Sequence, residues 1–89
     1  MGAVTEAIRQ KLQVAFSPSR LDIVDDSDNH KGHAGHREGG ESHFTVIIES
    51  AAFAGMGRVE RQRQVNRALA EELAGPVHAL SIKAKAPGE

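Results

Sequence analysis

Seven residues from His43 to Glu49 alternate without interruption: Phe44, Val46 and Ile48 fall on one side, and His43, Thr45, Ile47 and Glu49 on the other. A side-chain period of two is that of a strand, and one apolar side marks it as half-buried. Such a strand is unstable alone. It needs neighbours for its backbone groups and a second layer over Phe44, Val46 and Ile48.

The rest of the chain supplies both. Val4, Ile8 and Leu12 recur four residues apart with Ala7 and Ala15 beside them, while Glu6, Arg9, Gln10, Lys11 and Gln13 lie off that stripe. This predicts an amphipathic helix, stopped near Phe16 because Pro18 excludes Ser17 from helical geometry. Arg20 to Val24 alternates and reads as a short strand running into Asp25-Asp26-Ser27. Ser50 can cap a short turn through Ala51, Ala52 and Phe53, which Gly55 and Gly57 interrupt. From Arg58 onward Val59, Val65, Leu69 and Leu73 are read as one stripe of a longer helix, closed by Gly75-Pro76. Val77 to Lys85 forms a last strand in which His78 shares its parity with Leu80 and Ile82. The order is α-β-β-α-α-β. A helical crossover makes the second and third strands parallel neighbours, and the first two can pair antiparallel. The expected fold is α+β, a three-stranded mixed sheet with helices on one face.

Eighty-nine residues support a single domain, residues 1–89. Between Asp25 and Glu41 only Ala34 is hydrophobic, so the segment of about 25–42 is expected to be a flexible loop. Eleven Lys and Arg against twelve Asp and Glu leave no overall basic excess for a phosphate backbone. There is no cysteine, which excludes disulfides, a thiol nucleophile and a thiolate metal site made by this chain alone. The sequence shows neither a membrane-length apolar run nor a secretory leader pattern, and a cytoplasmic protein is expected.

Five strings carry a resemblance: V-D-D-S at 24–27, G-E-S-H-F at 40–44, S-A-A-F-A-G at 50–55, V-E-R-Q-R-Q-V-N at 59–66 and V-H-A-L-S-I at 77–82. In this order and spacing they resemble the BolA family over about four-fifths of the chain. One departure is Arg61-Gln62-Arg63, where the family often has R-H-R, so a site built on that helical histidine is absent. The resemblance implies a type II KH-like fold and a non-enzymatic role as partner of a monothiol glutaredoxin in handling [2Fe–2S] clusters. It also implies transcriptional regulation for some members. The free protein is expected to be a monomer or weak dimer.

Imidazole is a good iron ligand, and two His on one iron of a [2Fe–2S] cluster is an established arrangement. A chain with histidines and no thiol suits half of such a site. The resemblance implies that the glutaredoxin cysteine and glutathione bring the sulfur. It also places a ligand at His78, whose parity would otherwise read as a core-edge histidine satisfied by a hydrogen bond. A second ligand is expected from the loop, where His30, His33 and His36 are separated by Gly32 and Gly35. His30 is the best match to the family's loop and His33 the reserve, although a solvated polar loop would also contain such residues. His43 is read as mainly structural, bonding the loop backbone at the mouth of its strand.

Arg58, Arg61, Arg63 and Arg67, with Lys83 on the last strand, are the candidate contacts for DNA, the alternative partner. Glu60, Glu71 and Glu72 on the same helical segment favour instead a solvated charged face. Neither Gly32-His33-Ala34-Gly35 nor Gly55-Met56-Gly57-Arg58 reproduces the G-x-x-G loop of a KH RNA binder in both place and spacing. Glu41, Ser42 and His43 have the letters of a hydrolytic triad, but neighbouring strand residues are expected to point to opposite faces.

Overall fold

The computed structural model describes residues 2–26 and 42–89. In chain order the elements are α1 (Ala3–Phe16), β1 (Arg20–Asp25), β2 (His43–Glu49), a 3-10 turn (Ala51–Phe53), α2 (Arg58–Ala68), α3 (Ala70–Ala74) and β3 (Ala79–Lys85). The sheet order is β1-β2-β3, with β1 antiparallel and β3 parallel to the central strand. The expected α+β fold and mixed sheet are therefore observed.

β2 is central because its alternation gives it a fully buried face, on which Phe44, Val46 and Ile48 are at most 2% exposed. Against these pack Leu21 and Ile23 of β1 and Leu80, Ile82 and Ala84 of β3, all on the core side. α1 covers this face with Ile8 and Leu12, both fully buried. It ends at Ser17, whose left-handed backbone (φ 45°) lets its N–H close on the Gln13 carbonyl at 3.0 Å before Pro18.

Ser50 joins three elements where β2 ends. Its hydroxyl donates to the Phe16 carbonyl at 2.6 Å and accepts from the Ala52 N–H at 3.1 Å, while its own N–H donates to Lys85 at 3.0 Å. The expected cap is thus present, and the same hydroxyl ties α1 to the sheet. The turn it caps buries Phe53 completely, with its ring 5.0 Å from that of Phe16. Gly55 then takes φ 81°, a conformation that suits a residue without Cβ, and turns the chain into α2.

Two readings of the long helical segment are corrected. Val59 is 65% exposed and lies off the core stripe, because six residues before Val65 is about 240° around the helix. The residue four before Val65 is Arg61, and it holds that position. The segment is also broken at Leu69, which has non-helical dihedrals (φ −108°, ψ 23°) and is buried at 1% exposure between α2 and α3. α3 is tied to α1 by Lys11, whose ammonium lies 2.7 Å from Glu71 and 2.8 Å from Glu72.

With so few large side chains in the core, Phe53→Ala is expected to cost about 3–5 kcal/mol, a large part of the stability of a small domain. Val59→Ala should change it by less than about 0.5 kcal/mol. Urea denaturation of both variants checks the pair.

Candidate functional site

The N-terminal ends of β2 and β3 lie side by side because the parallel register pairs His43 with Ala79. The Ser42 carbonyl accepts from both the His78 N–H at 2.7 Å and the Ala79 N–H at 3.2 Å. This shared acceptor is where the ladder begins, so His78 stands just before β3 and not within it. Its expected parity with Leu80 and Ile82 is accordingly broken. His78 is exposed, while Val77 turns inward at 4% exposure.

The backbone of His78 is therefore fixed and its ring open to solvent. The His43 ring lies nearly parallel to it, with centroids 6.3 Å apart and planes 14° apart. His43 is half-buried, and its Nδ1 meets the Ser42 hydroxyl at 3.0 Å. The contact printed for the His43 ring is with a side-chain hydroxyl, where a bond to the loop backbone is expected from sequence, and the ring also stands beside His78. The strand register was the available signal, because parallel pairing of β2 and β3 sets their leading histidines together.

The Ser42–His43 contact corrects the expectation that these two side chains cannot meet. Ser42 precedes the strand, so strict alternation does not apply to it. The contact is not a triad fragment: Ser42 is 4% exposed, which withholds its hydroxyl from a substrate, and the imidazole nitrogen facing it is Nδ1. Glu41, His30, His33 and His36 lie outside the described residues.

The described ends of the intervening segment flank the histidine pair. Asp26, at the exit of β1, accepts a hydrogen bond from the Thr45 hydroxyl, and Thr45 is two residues from His43 on the same side of β2. Ser42, at the other end, is the acceptor beneath His78. Among the described residues, no group of three or more His, Asp or Glu is arranged to hold a metal ion. The histidine pair is thus at most part of a ligand set.

The basic candidates do not form one surface. Arg61 is largely covered: Nε donates to the Met56 carbonyl at 2.9 Å, Nη1 to the Ala84 carbonyl at 3.3 Å, and the two terminal nitrogens hold the Glu89 carboxylate at 2.5 and 2.6 Å. Those bonds lower the Glu89 carboxyl to about 2, helped by the Ala86 N–H. Arg58 and Lys83 share a cleft with Arg61, whereas Arg63 and Arg67, more than 100° further around α2, do not line it. Arg61 therefore fastens α2 to the end of β3, and its charge is already paired.

The family model described as BolA-like protein matches residues 12–89. The chain belongs to the BolA-like family. This BolA-like domain is 48% identical over 88 residues to mouse BolA-like protein 1, aligning 99% of its own length with 61% of that protein's. The domain therefore spans about three-fifths of the mouse protein. It is 42% identical over 79 residues to a Vibrio cholerae protein named DNA-binding transcriptional regulator BolA, covering 89% of this chain and 71% of that one. Among solved structures it is similar to the BolA domain of SufE1 from Arabidopsis thaliana, with a TM-score of 0.86, 40% identity and coverage of 98% and 95%. Relatives also include a chloroplastic Arabidopsis protein, so the family is not confined to the cytoplasm expected from sequence. Among the described residues no helix is long and apolar enough to cross a membrane.

The Arg61–Glu89 pair has a defined pH signature. A depressed carboxyl contributes stability fully above its unfolded value, about 4.3, and loses it as pH falls toward about 2. Carboxyl-detected NMR should show Glu89 titrating near 2 in the native protein. In Arg61→Ala it should return toward the ordinary glutamate value of about 4.3, and the acid-unfolding midpoint should move to higher pH.

Proposed function

We propose that this domain is a non-enzymatic adaptor that docks on a monothiol glutaredoxin and shares or receives its [2Fe–2S] cluster through histidine ligands. The observation that carries this reading is the placement of His78. Its backbone is held by Ser42, its imidazole is exposed, and a second imidazole stands 6.3 Å away. A side chain on a fixed backbone that faces solvent is the form a ligand takes when the metal arrives from outside.

The donor set fits a borrowed cluster better than a resident one. Imidazoles suit one iron of a [2Fe–2S] unit, but this chain has no thiolate for the other, so the glutaredoxin cysteine and glutathione would supply the sulfur. A loop histidine is the natural third participant. His30 lies four residues after Asp26, a chain length of up to about 14 Å, and His33 lies nine residues before Ser42. When bound, the cluster supplies the electron-transfer chemistry. The residues of this chain would orient it: the Ser42 carbonyl fixes the backbone of His78, and the ring of His43 stands beside the His78 imidazole.

The second reading, transcriptional regulation through DNA, is favoured by the name of the Vibrio cholerae relative. Its contacts here would be Arg58, Arg63, Arg67 and Lys83, with Arg61 acting through the fold. It requires salt-sensitive retention on duplex DNA.

Adding the domain to a cluster-loaded monothiol glutaredoxin should change the visible absorption and circular dichroism of the cluster. His78→Ala should abolish that change while His36→Ala leaves it intact. An unaltered spectral change with His78→Ala would remove the ligand assignment.

A further inference from the structure

At the end of β3 opposite the histidine pair lies a cleft of about 490 Å³. Five consecutive residues of β3, Ser81 to Lys85, line it together with Arg58, Arg61 and Gln62 of α2 and Ile47 of β2. Residues of both parities could not line a site confined to one face of a sheet, so the cleft runs along the free edge of the strand. β3 is an outer strand, and among the described residues nothing pairs with its far side.

Strand geometry says what that edge offers. Lys85 turns its carbonyl toward β2, where Ser50 takes it, so Ala84, Ile82 and Leu80 direct their amide and carbonyl groups outward. The Arg61 contact with the Ala84 carbonyl confirms this direction. The groups of Leu80 and Ile82 remain as a template for another extended chain.

Charge selects the occupant. Arg58, Arg61, Lys83 and Lys85 line the cleft, and the ion pairs of the described residues set one acid against them, Glu89 on Arg61. A second copy of the chain would bring its own lysines to these, which disfavours self-pairing. The bidentate seat of Glu89 shows that the cleft accepts a carboxylate. Ile82 and Ala84 give it apolar surface on the core side of the sheet and Ile47 on the other, and no aromatic ring among the described residues lines it for a nucleic-acid base to stack on.

We propose that the free edge of β3 binds an extended acidic segment of another protein, added to the sheet as a fourth strand. The main chain of the segment pairs with Leu80 and Ile82, and its carboxylates meet Arg58, Lys83 and Lys85. This surface is independent of the histidine pair and stands whether or not a cluster is bound there.

The test uses the 89-residue protein and a labelled peptide of alternating valine and glutamate. Parallel probes are the same peptide N-methylated at alternate amides, its valine–lysine counterpart and a short oligothymidine. Binding of the acidic peptide should slow amide exchange at Leu80 and Ile82 by at least about tenfold. N-methylation, which keeps the charge but removes strand pairing, should weaken binding by about tenfold or more, as should Arg58→Glu combined with Lys83→Glu. Equal binding of the N-methylated peptide, unchanged exchange at Leu80 and Ile82 at millimolar peptide, or capture of oligothymidine but not peptide would each overturn the proposal. Both substituted residues are exposed, so their loss should leave the fold intact.

Discussion

Two carbonyls hold the last strand in place: Ser42 accepts from His78 and Ala79 where β3 begins, and Lys85 accepts from Ser50 where it ends. Between them the parallel register is fixed residue by residue. A slip by one position would turn Leu80, Ile82 and Ala84 away from Phe44, Val46 and Ile48, so burial enforces what the hydrogen bonds specify. The same register sets His43 beside His78 and leaves the outer edge of β3 to Arg61 and the cleft. Both proposed surfaces are consequences of how one strand is seated.

The small core explains why polar side chains carry so much of the assembly. Ser50 at the close of β2, Lys11 between α1 and α3, and Arg61 between α2 and β3 each bridge two elements. A larger domain could leave such joints to packing. Here the polar bridges set the angles at which thin apolar faces meet. Arg61 shows how this alters a functional reading, because a cation that looked available for phosphate is committed to two carbonyls and a carboxylate.

Much of the architecture was legible in the residues. The unbroken alternation of 43–49 predicted β2 to its exact bounds, and α1, β1 and the Ser50 cap followed from periodicity and from Pro18. Reading failed where a local pattern met a tertiary demand. Val59 looked like core because apolar residues invite inclusion in a stripe, yet the helical angle assigns that place to Arg61, whose charge is hidden by partners distant in sequence. Alternation running on from Val77 predicts strand parity for His78, which the structure does not give it. No local signal said that Ser42 would bond two successive amides and start the ladder one residue later. For the same reason the exposure of His78 and its pairing with His43 emerged only from register, a property of two segments more than thirty residues apart.

Imidazole nitrogen from this chain, bound to iron supplied by another, is what the proposed function requires. Pulsed electron paramagnetic resonance of the reduced mixed complex tests that directly, with this chain alone carrying 15N-histidine. The expected result is a strong histidine-nitrogen coupling that changes with the isotope and is reduced by His78→Ala. A cluster spectrum that shows no coupling to histidine of this chain, although both proteins are in the complex, would contradict it.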